Sequence, residues 1–415
     1  MTIGQEDGMR KILLICMVIL VFAPTACARR GMGKPDCLNI FCFRYMTDDI
    51  QKAYGKARTA DDTMPMINFI TPDRDFSDMN ELYDSLMKGF LTKSPDIDLF
   101  VISGTNQYAY DIIENHYYVD LGQDEALQSH FDAMYPDIQA WCSDGGEVFG
   151  FPYHILYNMH IMADDGMMAS IGYHLEDIKT MDGFLDFCDT WDERIAAPPT
   201  AGYYQRALSY CENYLLLHYD RDTGDLNLDT PAFRSILSRC RELAQLEYFQ
   251  EPYGLITDVD SDTSPLYFGT VNIIPRSHRQ YVPIQYPLLK GEPAGTKRYA
   301  SVYWLLVNPY SKHIDQAVRV VESYAGIAGN TELIVTPVYR DPAYYDNTER
   351  YSQENLDNIA SFIGDSFAGI LFPGYYEVLE ILDAYITDDS MTLDQAIMQS
   401  QHVLDMVRKE QYIGK

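Results

Sequence analysis

The feature that most limits the fold is an alternation of short apolar runs with helical periodicity. Leu38-Asn39-Ile40-Phe41-Cys42-Phe43 and Met66-Ile67-Asn68-Phe69-Ile70 have strand length and strand composition. From Glu81 to Leu91 the apolar residues recur at Leu82, Leu86 and Phe90, with Tyr83 and Met87 beside them, which is helical spacing. Ser94-Pro95-Asp96 then turns into a further apolar run ending at Ser103. Strands that alternate with helices predict α/β units on a mainly parallel sheet, because parallel strands need a long crossover between them.

The pattern continues along the chain. Gly145-Gly146-Glu147 reads as a turn, and Val148 to Tyr153 as a short strand. Helical stretches are expected over about 182–194 and about 203–219. Asp220 to Asp229 is turn-rich. Asp229-Thr230-Pro231 then caps a helix through Phe233, Ile236, Leu237, Cys240 and Leu243, with proline at its first position. A Tyr- and Pro-rich stretch, 264–289, reads as strand, and Ser301 to Val307 is a clear strand. Ser311 is expected to cap a helix reaching Ala328. Thr392-Leu393-Asp394-Gln395 resembles a capping box opening a helix to Tyr412.

The chain has 415 residues, enough for two or three domains. Its 47% hydrophobic content can fill sizeable cores. Asp and Glu number 61 against 31 Lys and Arg, a formal charge of −30. Such a surface repels phosphate backbones, so nucleic acid is excluded as a partner.

Arg10 and Lys11 precede an unbroken apolar run of 11 residues, Ile12 to Phe22, followed by Ala23-Pro24-Thr25-Ala26-Cys27. A basic start, a short apolar stretch and small residues make a secretory signal over 1–27. The run is too short for a spanning helix, which needs about 20 residues. Thr25-Ala26-Cys27 resembles the end of a bacterial lipobox, with Pro24 where that motif usually has Leu. Lipidation at Cys27 would anchor the domain to the outer face of the membrane. Residues 28–37 are then a polar tether.

Six cysteines remain beyond Cys16 and Cys27. An exported chain permits disulfides. Cys188, Cys211 and Cys240 nevertheless lie in helix-like stretches and read as small buried hydrophobes. No CxxC pair, HExxH, P-loop, GxSxG or GxGxxG follows, so neither a metal nor a cofactor is expected and no catalytic residue is nominated. Asp220 to Asp225 departs from a calcium loop in its glycine position and its missing twelfth-position Glu. Gly364-Asp365-Ser366 has no histidine partner motif.

Several segments together resemble the extracellular solute-binding proteins of ABC importers, the group of maltose-type receptors and Gram-positive sugar-binding lipoproteins. They are SPDIDLFVIS, GFPYHILYNMHIM, YDRDTGDLNLDTPAFRSIL, WLLVNPYSKHIDQAVRVVESYA and TLDQAIMQSQHVLDMVRKE, in that order over nearly the whole mature chain. The resemblance implies an α/β, two-lobed periplasmic-binding-protein-like (type II) fold with a ligand cleft, closing by hinge motion. It implies ABC permease subunits as partners and a monomer in solution. By segment order, lobe one is expected over 38–150 plus 298–328, and lobe two over 151–297 plus 329–415. Phe151-Pro152 is the expected first hinge.

In open α/β sheets ligands gather at the carboxyl ends of strands. That rule nominates Tyr45, then Ser103, Thr105 and Tyr108, then Tyr153 and His154, then Arg276 and Ser277, with Tyr303 and Trp304 beside them. Thirty-three tyrosines suit a neutral polar ligand such as an oligosaccharide, whose CH faces stack on rings and whose hydroxyls need hydrogen-bond partners. Arg276 would instead suit a carboxylate or phosphate. An exported polysaccharide-acting hydrolase, or a surface sensor or adhesion module without transport, are the alternative readings.

Overall fold

Among the described residues the first strands are parallel, β1 (Cys37–Phe41), β2 (Met66–Ile70) and β3 (Leu99–Ser103), linked by α1 (Thr47–Ala60) and α2 (Met79–Leu91). The computed structural model describes residues 33–71, 79–195, 200–202, 207–246, 249, 264–268, 282–330, 337–347, 351–388 and 391–412. The expected signal, Cys27, the middle of the 264–289 stretch, and Arg276 and Ser277 lie outside the described residues.

After β3 come α3 (Ala109–Glu114), α4 (Glu125–Ala133) and α5 (Pro136–Trp141). A two-strand hairpin follows, β4 (Ser143–Asp144) and β5 (Glu147–Val148), and then β6 (Phe151–Tyr157). Next are β7 (His160–Ala163), α6 (Asp165–Ala169), α7 (Met181–Arg194), β8 (Thr200–Gly202), α8 (Ser209–His218), α9 (Pro231–Leu243), β9 (Leu266–Phe268) and β10 (Val282–Gln285). The long strand β11 (Arg298–Val307) leads to α10 (Ile314–Ala325), α11 (Gln353–Gly364), β12 (Ser366–Ala368), α12 (Tyr375–Thr387) and α13 (Leu393–Tyr412).

Two sheets result. The first has the order β12-β11-β3-β1-β2, with β6 also on β11; the second has the order β10-β7-β9-β8. Strand β11 runs antiparallel to β3 and β6 and parallel to β12. Each sheet has its own hydrophobic core. The first core collects Leu38 to Tyr157, Ala300 to Ala328 and Val338 to Ile363; the second collects Met159 to Tyr299 and Leu371 to Leu404. The architecture is therefore α/β and two-lobed.

The cores divide the chain differently from the sequence expectation. Strand β6 continues through Phe151-Pro152 as a full member of the first sheet, and the core changes hands between Tyr157 and Met159. Segment 338–363, expected in lobe two, packs in the first core through Tyr339, Leu356, Ile359 and Ile363. Segment order could not anticipate this, because α11 is chosen by its apolar face and not by its neighbours in sequence.

Local signals behave as physical chemistry dictates. Thr230 Oγ1 accepts from the Phe233 amide at 3.1 Å with Pro231 at the first helical position, a cap worth about 1 kcal/mol. Thr392 and Gln395 cap each other reciprocally at 2.9 and 3.3 Å. Ser311 does not cap α10. Its hydroxyl donates to Asp98 at 2.5 Å, and the helix begins only at Ile314. Trp191 is packed against Phe187 in the second core, as a structural residue.

Candidate functional site

The carboxyl ends of β1 and β3, the β6 strand beside them and the early part of β11 meet at one end of the first sheet. Residue Tyr303 on β11 is paired with Ser103 on one side and with His154 on the other. Five of the nominated residues converge here. Tyr45, 52% exposed, stacks on Phe43 at 5.6 Å, and Phe43 lies edge-on to Tyr303 at 5.8 Å. The Tyr303 hydroxyl lies beside those of Ser103 and Tyr45. Ser103 Oγ and Thr105 Oγ1 are 2.9 Å apart, and the His154 ring lies 5.8 Å from that of Tyr303. Tyr108 is set slightly apart, with its hydroxyl on Asp84.

The polar groups at this end are left over. Both ring nitrogens of His154 are shielded from solvent and have no hydrogen-bond partner, and neither does the hydroxyl of Tyr83. Buried polar atoms are nearly always paired; the Tyr157 hydroxyl, His160 Nε2 and Trp304 Nε1, buried away from this end, also have no partner. Burial pushes the His154 imidazole down to about 4, so at neutral pH it offers one donor and one acceptor and no charge. Desolvation, followed by the nearby Tyr303 and Tyr45, raises the Tyr83 phenol, which keeps it protonated. Tyr83 is a residue the sequence reading used only as helical packing; a hydroxyl on the buried face of a helix was the available signal.

Two nominated residues are elsewhere. Tyr153 and Trp304 are both at 0% exposure, in the first core. Tyr153 stacks on Tyr324 at 4.9 Å and donates to the Met46 carbonyl at 3.2 Å. Trp304 lies edge-on to Phe149 at 5.1 Å. The reason is the pleat. Neighbouring residues on a strand face opposite sides, so of Tyr153-His154 and of Tyr303-Trp304 only one each can face the open end. Register decides which, and it is shifted by a bulge between Tyr303 and Trp304 that pairs Trp304 with Pro152.

The second lobe brings its own aromatic residue, missed in the sequence. Gly374 adopts φ +84° and α12 starts at once with Tyr375-Tyr376. Tyr376 remains 47% exposed, with Glu212 near its hydroxyl. Glu212 also accepts from Tyr299 at 3.0 Å, at the start of the β11 strand that carries Tyr303. The Pro373-Gly374-Tyr375-Tyr376 sequence, a turn glycine opening onto two tyrosines, was the signal. The lobes touch beside this region. Gly104 carbonyl accepts from the Leu371 amide at 2.9 Å, and an added Cβ at Gly104 would meet the Gly369 carbonyl at 2.4 Å. Arg221 of the second lobe reaches Glu114 at 3.0 Å and Asp144 at 3.3 Å in the first, while its carbonyl accepts from the Tyr110 hydroxyl.

Among the described residues no group of three or more His, Cys, Asp or Glu is placed to hold a metal ion, and no helix is long and apolar enough to cross a membrane.

Two α/β lobes joined by three chain crossings, with a polar–aromatic sheet end at the junction, define the fold of two-lobed solute-binding proteins. Solved structures agree over most of the chain. The maltose-bound MalE3 of T. maritima matches with TM-score 0.62 and 12% identity, over 89% of this chain and 99% of that one. The sugar-binding protein MalE of the phytopathogen Xanthomonas citri matches with TM-score 0.65 and 11% identity, over 91% and 98%. The cyclic alpha-maltosyl-1,6-maltose binding protein of Arthrobacter globiformis matches with TM-score 0.59 and 13% identity, over 91% and 100%. No protein-family model matches the chain, and no curated protein matches it in sequence. At these identities the likeness establishes the fold.

Proposed function

We propose that this chain is the exported, lipid-anchored receptor of an ABC-type importer and that its cleft takes a neutral carbohydrate. One observation carries the ligand class. The cleft end of the first sheet offers exposed or half-exposed rings together with buried polar atoms that have no partner: Tyr45 and Tyr303 beside His154 and Tyr83. A sugar supplies what each lacks. Its CH face covers a ring, and its hydroxyls both donate and accept. A neutral imidazole suits hydroxyls better than it suits an anion. Tyr376 on the second lobe is the matching surface for the opposite face of the sugar, and closure of the lobes would bury both. The solved maltose- and maltodextrin-binding proteins of the same fold support this choice.

Export and anchoring rest on the Arg10-to-Cys27 segment. The test is calorimetric titration of the mature domain with maltose, maltotriose and longer glucans, and in parallel with amino acids, peptides and organic anions. Saturable binding of one glycan class, lost in Tyr45→Ala and His154→Ala, is the expected result. Binding of anions in preference to sugars overturns the ligand class, and turnover of a glycan overturns the receptor reading.

A further inference from the structure

Helices α8 and α9 form a hairpin in the second lobe, and two cysteines lie inside it. Cys211 is near the start of α8 and Cys240 near the end of α9, so they meet at the open end of the hairpin. Both are fully buried, and the Cys211 thiol donates to the Cys240 sulfur at 3.8 Å. The loop end is held separately, by Tyr214 packed at a tilt on Phe233 at 4.8 Å and hydrogen-bonded to Thr230 at 3.0 Å. Beyond the second contact the loop projects Arg221 toward Glu114 and Asp144 of the other lobe.

We infer that Cys211 and Cys240 are a disulfide pair that closes between α8 and α9 when the chain folds in the presence of a disulfide oxidant. The sulfurs need to approach by less than the width of an atom, to about 2 Å, which side-chain rotation and slight helix adjustment supply. The chemistry is thiol–disulfide exchange. One cysteine, as thiolate, attacks an oxidant RS–SR and expels RS⁻. The second cysteine attacks the resulting mixed disulfide and expels the second RS⁻. The two cysteine sulfurs lose two electrons in total, and the oxidant leaves as two RSH carrying the protons the cysteines gave up.

Timing follows from burial. In the docked hairpin neither sulfur is accessible, and the contact with Cys240, together with burial, raises the Cys211 thiol far above its ordinary range. A buried, protonated thiol is a poor nucleophile. The bond therefore forms before the hairpin docks and is shielded from reductants afterwards. It would clamp the open end of the hairpin whose loop touches the first lobe. The remaining described cysteines are placed differently: Cys37 is half-buried at the start of β1, Cys42 and Cys142 are in the first core, and Cys188 is on α7.

The test uses the full chain, refolded from denaturant either in a reduced/oxidised glutathione mixture or in dithiothreitol alone. Free thiols are blocked with N-ethylmaleimide, and the protein is digested without reduction for mass spectrometry. The expected result is a Cys211–Cys240 cross-linked peptide as the main product, with a Tm several degrees above that of the reduced protein. Native reduced protein given the same glutathione mixture should cross-link far more slowly. In Cys240→Ala the redox dependence of Tm should vanish. Blocked Cys211 and Cys240 in the glutathione-refolded protein, Cys211 bonded to another cysteine or to glutathione, or a cross-linked form that melts below the reduced one, each overturns the assignment. The wild-type comparison decides the matter even where the variant folds poorly.

Discussion

The two ends of the first-lobe sheet handle buried polarity in opposite ways. At the end where β1 and β3 begin, every partner is present. The Asp98 carboxylate accepts from the Asn39 amide at 2.6 Å and from the Ser311 hydroxyl at 2.5 Å, with His313 Nδ1 at 3.3 Å. The Asn39 side chain accepts from the Lys34 amide and from Asn68, and donates to the Lys34 and Cys37 carbonyls. Asn308 closes the circle on the Ile97 carbonyl at 2.6 Å. At the other end, the His154 nitrogens and the Tyr83 hydroxyl have no partner. A satisfied polar network holds a fold together, whereas an unsatisfied one waits for something to complete it. The difference separates an end whose polar groups are paired from an end whose polar groups are open to a partner.

The comparison is easiest to break through the residues that sit between the two kinds of role. Trp304→Ala should cost about 4 kcal/mol of stability, since it empties a large side chain from a fully packed core. Chemical denaturation of the unliganded protein measures it. A near-neutral result would mean that Trp304 faces the cleft after all. Asp98→Ala comes next, at about 3 kcal/mol, because it leaves the Asn39 amide and the Ser311 hydroxyl buried without an acceptor. Ligand affinity, measured by titration of the folded fraction, should hardly change. Tyr153→Phe removes one hydrogen bond to the Met46 carbonyl while keeping the ring stack, for about 1 kcal/mol.

At the Tyr303 end the sign reverses. Tyr83→Phe and His154→Leu delete unpaired polar atoms, so the unliganded Tm should hold or rise, while sugar affinity falls about tenfold or more, equivalent to ~1.4 kcal/mol. Loss of Tm without loss of affinity would erase the distinction between the ends.

The last comparison is of pH dependence. His154 and His160 are each lowered from 6.5 to about 4 by burial. Between those values the unfolded chain takes up protons that the folded protein refuses, so stability falls as pH drops from about 6.5 toward 4 and is unaffected by these groups above pH 7. Urea midpoints across that range should fall about half as steeply in His154→Leu, with His160 supplying the rest.

Much of the architecture was readable beforehand because it rests on local chemistry. The apolar run Met66 to Ile70 is a strand with those bounds, and the Thr230-Pro231 and Thr392–Gln395 signals open the expected helices. The sequence-nominated Tyr45, Ser103, Thr105, His154 and Tyr303 do assemble at one sheet end. What was not readable depends on relations between distant segments. Trp304 and Tyr303 have equal claims to a cleft until the register against Pro152 and His154 is known. Ser311 looks like a cap until Asp98 is found beside it. Helix α11 was assigned by its place in the order, although its apolar face fits the other core.

Strand β11 belongs to both lobes at once. Its first residue, Arg298, is sealed in the second lobe against Glu292 at 2.6 Å, while Trp304, further along, is sealed in the first. A change of identity at any one position disturbs one lobe. A change of length disturbs everything downstream, because inserting a single residue between Tyr299 and Tyr303 would turn Trp304 outward and Tyr303 inward. Insertions and deletions that surface loops such as 219–230 absorb readily are thus forbidden here, and the number of residues separating Arg298 from Trp304 is a quantity the two lobes hold in common.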